Sequence, residues 1–175
     1  NVERIPQDRN VLFVSNHQSD FDIAVFMALI PKRTGFVAKY EMEKVPLLSE
    51  WMRNINCVFM DRKDMKKSLE TILAGIKLLK EGKSLVVFPE GTRSRCDEVG
   101  EFKQGSFKLA TKSNVPIVPV TIDGTYKIME GNNYIIKPAE VNVYIHEPIF
   151  MESLDKEGKA MLPQTVKDII VNGKA

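Results

Sequence analysis

Short apolar runs alternate along this chain with longer stretches in which apolar residues recur every three or four positions. The short runs predict strands at residues 10–15, 34–39, 56–62, 84–88, 115–122 and 140–149. Within the fifth run, Pro116 and Pro119 favour a sheet edge, a strand start or a bulge over a place in the middle of the sheet.

Helical periodicity fills the gaps between these strands. The clearest helix begins at residue 65 and ends near Gly82, and its apolar stripe is expected to face the core; the stripe comprises Met65, Leu69, Ile72, Leu73, Ile76 and Leu79. Further helices are predicted at about 20–30 and 104–112, and a weak one is predicted after Pro163. Residues 40–55 are predicted to form one or two short helices interrupted at Pro46. This alternation predicts a layered α/β fold, and the length suits one domain spanning residues 1–175.

Composition narrows the choice of partners. The formal charge of +2 is too small to argue for nucleic acid, so local cations must account for any anion binding. Cys57 and Cys96 stand alone, which indicates a reducing compartment and predicts neither a disulfide framework nor a structural zinc site. The longest apolar run, residues 23–30, is too short to span a bilayer. The first residue is Asn1, so we expect an N-terminal membrane-associating segment to be missing from this chain.

Polar clusters follow three of the predicted strands. NHQSD, DRKD and PEGTRSR each begin where an apolar run ends, at residues 16, 61 and 89. In open α/β sheets, ligands bind in the crevice at the carboxyl ends of the strands. The sequence therefore places its reactive side chains where this architecture usually has a site.

The first cluster contains His17, five residues before Asp22. On one continuous helix this spacing would turn the two side chains about 140° apart, so they can meet only if His17 lies in the turn before the helix. A carboxylate on one ring nitrogen would leave the other free to take a proton. The alternatives are a capped helix start, with Ser19 or Asp20 as the N-cap, and a metal ligand. His146 lies far along the chain, which weakens the metal alternative.

The third cluster combines a carboxylate with cations directly after a buried strand. Gly91 allows close approach of a ligand, Thr92 offers a hydroxyl, and Arg93 can bind phosphate through two donors. Glu90 can accept hydrogen bonds from substrate hydroxyls, so the group suggests a polyol phosphate such as glycerol phosphate. A charged surface turn is the alternative interpretation.

Two more cations, Lys39 and Arg62, end other predicted strands. Each is either a solvated charge or, if the strands are parallel neighbours, part of the same site. The glycines have neither the spacing of a P-loop nor that of a dinucleotide-binding loop, so ATP and NAD are set aside.

Together these blocks resemble the PlsC family of glycerolipid acyltransferases, which includes lysophosphatidic acid acyltransferase. The family's N-H-x-x-x-x-D block is matched by Asn16, His17 and Asp22, and a block ending in arginine is matched by VFMDR at residues 58–62. F-P-E-G-T-R-S is present in full at residues 88–94, and V-P-I-x-P-V at residues 115–120. FVAK and FKQGSF also agree, and the resemblance covers residues 10–149.

The resemblance implies a glycerol-3-phosphate acyltransferase-like fold, a three-layer α/β/α domain with a mixed, largely parallel sheet. It implies that His17 is the general base, that Asp22 orients it, and that acyl-CoA or acyl carrier protein is the co-substrate, with no other cofactor and no metal. The acceptor site would comprise Lys39, Arg62, Glu90, Gly91, Thr92 and Arg93. The implied reaction acylates 1-acylglycerol 3-phosphate to phosphatidic acid in phospholipid synthesis. A membrane surface on the cytoplasmic face is the implied location.

Three alternatives stay open at this point. The acceptor could be glycerol 3-phosphate or another lysolipid. The chain could be a lipid-binding protein on a retired enzyme fold, or a metal-dependent hydrolase using His17, Asp20, Asp22 and Glu90. His146 is expected to be structural, and the segment around Trp51 and Arg53 is expected to pack, although it could face a membrane.

Overall fold

Five parallel strands and one antiparallel strand form a single sheet in the computed structural model, which describes residues 1–173. The strands are β1 (Leu12–Ser15), β2 (Thr34–Lys39), β3 (Val58–Met60), β4 (Ser84–Val87), β5 (Ile117–Asp123) and β6 (Asn142–Ile145). Their order across the sheet is β3-β2-β4-β1-β5-β6, and β6 runs antiparallel to β5. The carboxyl ends of the first five strands in this order therefore lie at one edge, as the polar clusters require.

Helices cover both faces of this sheet. The α-helices are α1 (Phe21–Leu29), α2 (Leu48–Asn54), α3 (Met65–Lys80), α4 (Gln104–Ser113) and α5 (Lys156–Asn172). Short 3₁₀ helices occupy Val2–Arg4, Tyr40–Lys44, Thr125–Lys127, Glu130–Asn132 and Met151–Ser153. Within the described residues, every helix is too short or too polar to cross a bilayer.

Alternating strand residues build two apolar layers. In β1, Leu12 and Val14 pack with α3, α4 and α5, whereas Phe13 points to the opposite face and meets Phe26 of α1 edge-on at 5.4 Å. Strands buried on both faces are nearly continuously hydrophobic, which is why β1 and β4 appear in the sequence as unbroken apolar runs. The predicted three-layer α/β/α architecture is confirmed. The last two residues of the predicted domain, 174 and 175, lie outside the described residues.

The fifth strand lies inside the sheet, so the expectation of a sheet edge for residues 115–122 is wrong. β5 pairs with β1 on one side and β6 on the other. The other two options for its prolines hold. Pro116 directly precedes the strand. Around Pro119 the pairing shifts from Ile117–Ile149 to Val120–Ile145, so three residues of advance along β5 lie opposite four along residues 145–149. Proline has no N–H to donate to a regular ladder, and a bulge is a position where the ladder is already interrupted.

The last helix begins earlier than the sequence predicts, because Pro163 lies inside it rather than before it. Asp155 caps the helix by accepting a hydrogen bond from the Gly158 N–H at 2.7 Å. Leu162, Val166 and Ile170 recur every four residues and are fully buried. This packing outweighs the single backbone hydrogen bond that proline removes.

Helix α3 packs through only part of the predicted stripe, around Ile72, Ile76 and Leu79. Ile72 and Leu79 are buried, but Met65, Leu69 and Leu73 are more than half exposed. The buried face is rotated toward Gly75, where a Cβ would lie only 2.6 Å from Leu109 of α4. Close contact between α3 and α4 at this glycine turns the start of the stripe out of the core.

The structural role expected for His146 agrees with its position. Its Nε2 lies 2.8 Å from the hydroxyl of Thr121, and that hydroxyl donates to the Ile170 carbonyl at 2.9 Å. Burial, together with the charge of Arg4, lowers the pKa of His146. The three residues tie β5, the segment after β6 and α5 together.

A glycine substitution tests the packing of β2 on β3. A Cβ on Gly35 would lie 2.1 Å from the backbone oxygen of Asn56, whereas a Cβ on Gly105 would meet nothing within 4 Å. We expect Gly35→Ala to lower the free energy of unfolding by about 1–3 kcal/mol or more, because backbone must move. Gly105→Ala in α4 should be neutral or stabilising by up to about 1 kcal/mol. Urea denaturation measures both, and equal effects would contradict the packing described here.

Candidate active site

The polar clusters predicted from the sequence meet at the carboxyl edge of the sheet. His17 follows β1, Lys39 ends β2, Arg62 follows β3 and Gly91 follows β4. All four line one cavity of about 620 Å³, together with Thr92 and Arg93. Of the predicted site residues, Asp22 and Glu90 lie behind this cavity and hold its wall.

His17 and Asp22 meet as the strand-then-helix arrangement requires. Nδ1 of His17 lies 2.7 Å from Oδ2 of Asp22, which is fully buried. A carboxylate can only accept, so Nδ1 carries a proton, and in the neutral imidazole Nε2 has the free lone pair. The imidazole keeps 18% of its surface exposed and stacks on Phe88 with ring centroids 4.2 Å apart.

The Asp22 carboxylate also organises the turn that carries His17. Its Oδ2 accepts the backbone N–H groups of Gln18 at 2.7 Å and Ser19 at 3.0 Å, and its Oδ1 accepts the hydroxyl of Thr125. Asp22 thus reaches back from the first turn of α1 to the turn before it. Of the two predicted caps, Asp20 occupies the N-cap position without a side-chain cap bond, and the Ser19 hydroxyl accepts only from the Phe21 N–H.

The segment after β4 pins the same turn from the other side. Both oxygens of Glu90 accept backbone N–H groups, that of His17 at 2.7 Å and that of Gly100 at 2.8 Å. The His17 carbonyl accepts from the Ser94 N–H at 2.8 Å. Burial raises the pKa of Glu90, against the lowering effect of these two hydrogen bonds. Glu90 therefore holds the backbone on which the imidazole stands.

Sequence reasoning missed two residues that hold the site, Thr125 and Glu130. The Glu130 side chain is fully buried and accepts the hydroxyl of Ser19 at 2.7 Å and the backbone N–H of Asp20 at 3.1 Å. It also pairs with Nη1 of Arg93 at 3.3 Å, and Asp20 pairs with the same nitrogen. Burial alone would raise the pKa of Glu130, but the bonds from Ser19 and Asp20 and the charge of Arg93 lower it overall.

The cations of the site differ in their partners. Arg93 is paired as described, and Lys39 lies 3.4 Å from Glu41. Arg62 is solvent-exposed, but the protein around its guanidinium lowers its pKa by desolvation. Lys103, a residue the sequence analysis did not single out, lies beside Arg62 over Gly91. It belongs to the FKQGSF block, which is the signal that could have found it.

A second cavity adjoins the first. It has about 530 Å³, lies between α3 and α4, and shares Arg62, Phe88 and Gly91 with the His17 cavity. Its walls are largely apolar, with Met60, Leu69 and Ile72 among them. The His17 cavity has apolar walls from α1 and α2, including Trp51, which is nearly half exposed rather than packed.

The four residues of the metal-dependent alternative have other partners in this arrangement. Asp20 pairs with Arg93, and Asp22 and Glu90 accept backbone N–H groups. Across residues 1–173, no three histidine, cysteine or acidic side chains gather into a metal-binding group.

Comparison with known proteins points in one direction. Residues 1–123 match the family model described as Acyltransferase. A chloroplastic 1-acyl-sn-glycerol-3-phosphate acyltransferase of Brassica napus is 36% identical over 156 residues, which are 88% of this chain and 45% of that protein. The 1-acyl-sn-glycerol-3-phosphate acyltransferase of Borreliella burgdorferi is 28% identical over 97% of this chain and 68% of its own length.

A solved structure agrees with the sequence relatives. The crystal structure of the 1-acyl-sn-glycerophosphate acyltransferase PlsC from Thermotoga maritima superposes with a TM-score of 0.86 at 34% identity, over 99% of this chain and 68% of that one. The chain spans about half the length of the plant relatives that it matches, 45% of the Brassica napus protein and 44% of a chloroplastic 1-acyl-sn-glycerol-3-phosphate acyltransferase of Arabidopsis thaliana.

The hydroxyl of Thr125 can be tested against its methyl group. Thr125→Val leaves Oδ1 of the buried Asp22 without its hydroxyl donor, so we expect the free energy of unfolding to fall by about 1–3 kcal/mol. Thr125→Ser keeps the hydroxyl and should cost less than about 1 kcal/mol. Urea denaturation of both variants measures this, and equal losses would contradict a dominant contribution of the hydroxyl.

Proposed function

Since this chain belongs to the acyltransferase family, we propose that it acts as a 1-acylglycerol-3-phosphate O-acyltransferase, forming phosphatidic acid from lysophosphatidic acid and an acyl thioester. The observation that carries this proposal is the His17–Asp22 pair, set in a cavity that has cations at its rim and apolar walls. The choice of acceptor is supported by the relatives, whose names describe acyltransferases of 1-acyl-sn-glycerol 3-phosphate.

The proposed reaction is a direct transfer. Nε2 of His17 takes the proton of the acceptor hydroxyl while the oxygen attacks the thioester carbonyl. When the tetrahedral intermediate collapses, the C–S bond breaks, and the thiolate recovers a proton from the imidazolium that Asp22 stabilises. A general base contributes about 10²–10⁴-fold, so positioning of the two substrates must supply much of the rest. The step as written needs no metal and no cofactor beyond the thioester.

Phosphate binding is proposed for the cations at the rim. Lys39, Arg62 and Arg93 line the His17 cavity with Gly91 and Thr92. Nη1 of Arg93 holds the two carboxylates, which leaves Nε and Nη2 to form a bidentate contact with a phosphate. We assign Glu90 a different role from the one expected of it: with both oxygens on backbone N–H groups, it positions His17 rather than receiving a substrate hydroxyl.

The two apolar cavities favour an acceptor that already carries an acyl chain. The reaction brings together two molecules, and in the lysolipid reaction each has one acyl chain. Two apolar-walled cavities that meet at Phe88 and Gly91 suit this demand. Glycerol 3-phosphate would leave one of the two apolar cavities without an apolar ligand. Acyl-CoA and acyl carrier protein both present the required thioester and stay equal candidates for the donor.

Substitution of the proposed base tests the mechanism. We expect His17→Ala to lower the transfer rate by about 10²–10⁴-fold, whereas His146→Gln, a substitution at the other histidine, should keep it. The assay pairs lysophosphatidic acid and glycerol 3-phosphate with acyl-CoA and acyl carrier protein donors. Circular dichroism checks that both variants are folded. A fully active His17→Ala would refute the assignment of the base.

We further propose that the domain contacts the cytoplasmic face of a membrane. The contact surface would be formed by α2 and the segment that joins β2 to α2. Leu47 at the tip of this segment is 83% exposed, and Met42, Val45 and Trp51 beside it are 37–47% exposed. Met42 and Trp51 also line the His17 cavity. A lipid acceptor could thus pass from a bilayer to the base along one apolar surface.

Vesicle binding tests this surface. We expect the double variant Leu47→Ser/Trp51→Ser to bind phosphatidylglycerol-containing vesicles about 10-fold or more weakly, because two apolar side chains no longer enter the lipid. Met161→Ser is the control, since Met161 is similarly exposed at 53% but lies on α5. Sedimentation with vesicles measures both. Equal binding by all three proteins would contradict the proposed surface.

A further inference from the structure

Two cations stand together over Gly91, at the wall between the two cavities. The Lys103 ammonium lies 2.9 Å, and the guanidinium carbon of Arg62 3.4 Å, from the point that a Cβ on Gly91 would occupy. Their charges are therefore within about 6 Å of each other and repel. Only the missing side chain of glycine leaves room for both.

Within residues 1–173, neither cation forms an ion pair. Of the other cations that line the His17 cavity, Lys39 pairs with Glu41, and Arg93 pairs with Asp20 and Glu130. Glu41 raises the pKa of Arg62 through its charge, but its carboxylate pairs with Lys39. Within the described residues, no carboxylate therefore forms a direct ion pair with the two cations at Gly91.

Lys103 is held in this place by the backbone. Its N–H donates to the Pro89 carbonyl at 3.0 Å, and the Gly100 N–H donates to Glu90. The segment before α4 is therefore fastened to the loop that carries Gly91. Lys103 takes the N-cap position of α4 without a side-chain cap bond, and a cation at that end of a helix is unfavourable. Helix stability does not explain the residue.

We propose that Lys103 and Arg62 together bind a phosphate group at the wall between the two cavities, which makes Lys103 a substrate-binding residue. A phosphate there would relieve the repulsion and be contacted by two donors from different blocks of the sequence. Two sources have this chemistry: the phosphate of the lysolipid acceptor and the phosphates of the thioester donor. The inference rests on the proposed function for its substrates, but its test does not need turnover.

The experiment compares Lys103→Gln with the matched control Lys112→Gln. Lys112 is an exposed lysine on the same helix, near its other end, and lines neither cavity. Titration calorimetry measures the binding of octanoyl-lysophosphatidic acid and, separately, of coenzyme A. We expect Lys103→Gln to weaken one of the two about ten-fold, Lys112→Gln to weaken neither, and Lys103→Arg to restore binding. The urea midpoint of Lys103→Gln should not fall.

The outcomes separate the possibilities. Weaker binding of the lysolipid alone assigns the site to the acceptor, and weaker binding of coenzyme A alone assigns it to the donor. Unchanged binding of both ligands, or an equal loss in Lys112→Gln, overturns the proposal. Since these are equilibrium measurements, an inactive wild-type protein would refute the proposed function without deciding this inference.

Discussion

The buried carboxylate of Asp22 accepts four hydrogen bonds, and the position of the base depends on all of them. Two come from backbone N–H groups of the turn, one from the imidazole of His17 and one from Thr125. Burying a charge without such partners would cost several kcal/mol. The turn can therefore exist only with Asp22 in place, and Asp22 can be buried only because the turn surrounds it.

Glu90 and Glu130 extend the same principle to neighbouring segments. Glu90 holds the His17 N–H from the loop after β4, and Glu130 holds Ser19 and the Asp20 N–H from the segment after β5. Each carboxylate links segments far apart in the chain through charged hydrogen bonds, which are about twice as strong as neutral ones. Preorganised groups of this kind do not have to rearrange when charge develops in a reaction.

What the sequence could predict follows from the range of each interaction. The pairing of His17 with Asp22 is local, and the convergence of strand ends follows from a parallel sheet, so both were predictable. Thr125 contacts Asp22 across 103 positions, and no pattern in the sequence marks that contact. Periodicity shows which residues of α3 share a face, but not that close packing on α4 at Gly75 would leave the start of that face exposed. The local rule that proline ends a helix fails at Pro163, because the buried face of α5 stabilises the helix through that position.

The block after β4 both positions His17 and lines the cavity, because the backbone turns at Gly91. The glycine has φ = 78°, a conformation that side chains disfavour. Before it, Glu90 points into the protein and holds the backbone of His17; after it, Thr92 and Arg93 line the cavity. A side chain at position 91 would strain the turn and also occupy the space between Lys103 and Arg62. Gly91 thus separates the residue that positions the base from the residues that line the cavity, which explains why the carboxylate directly precedes the glycine and the arginine follows it by two positions.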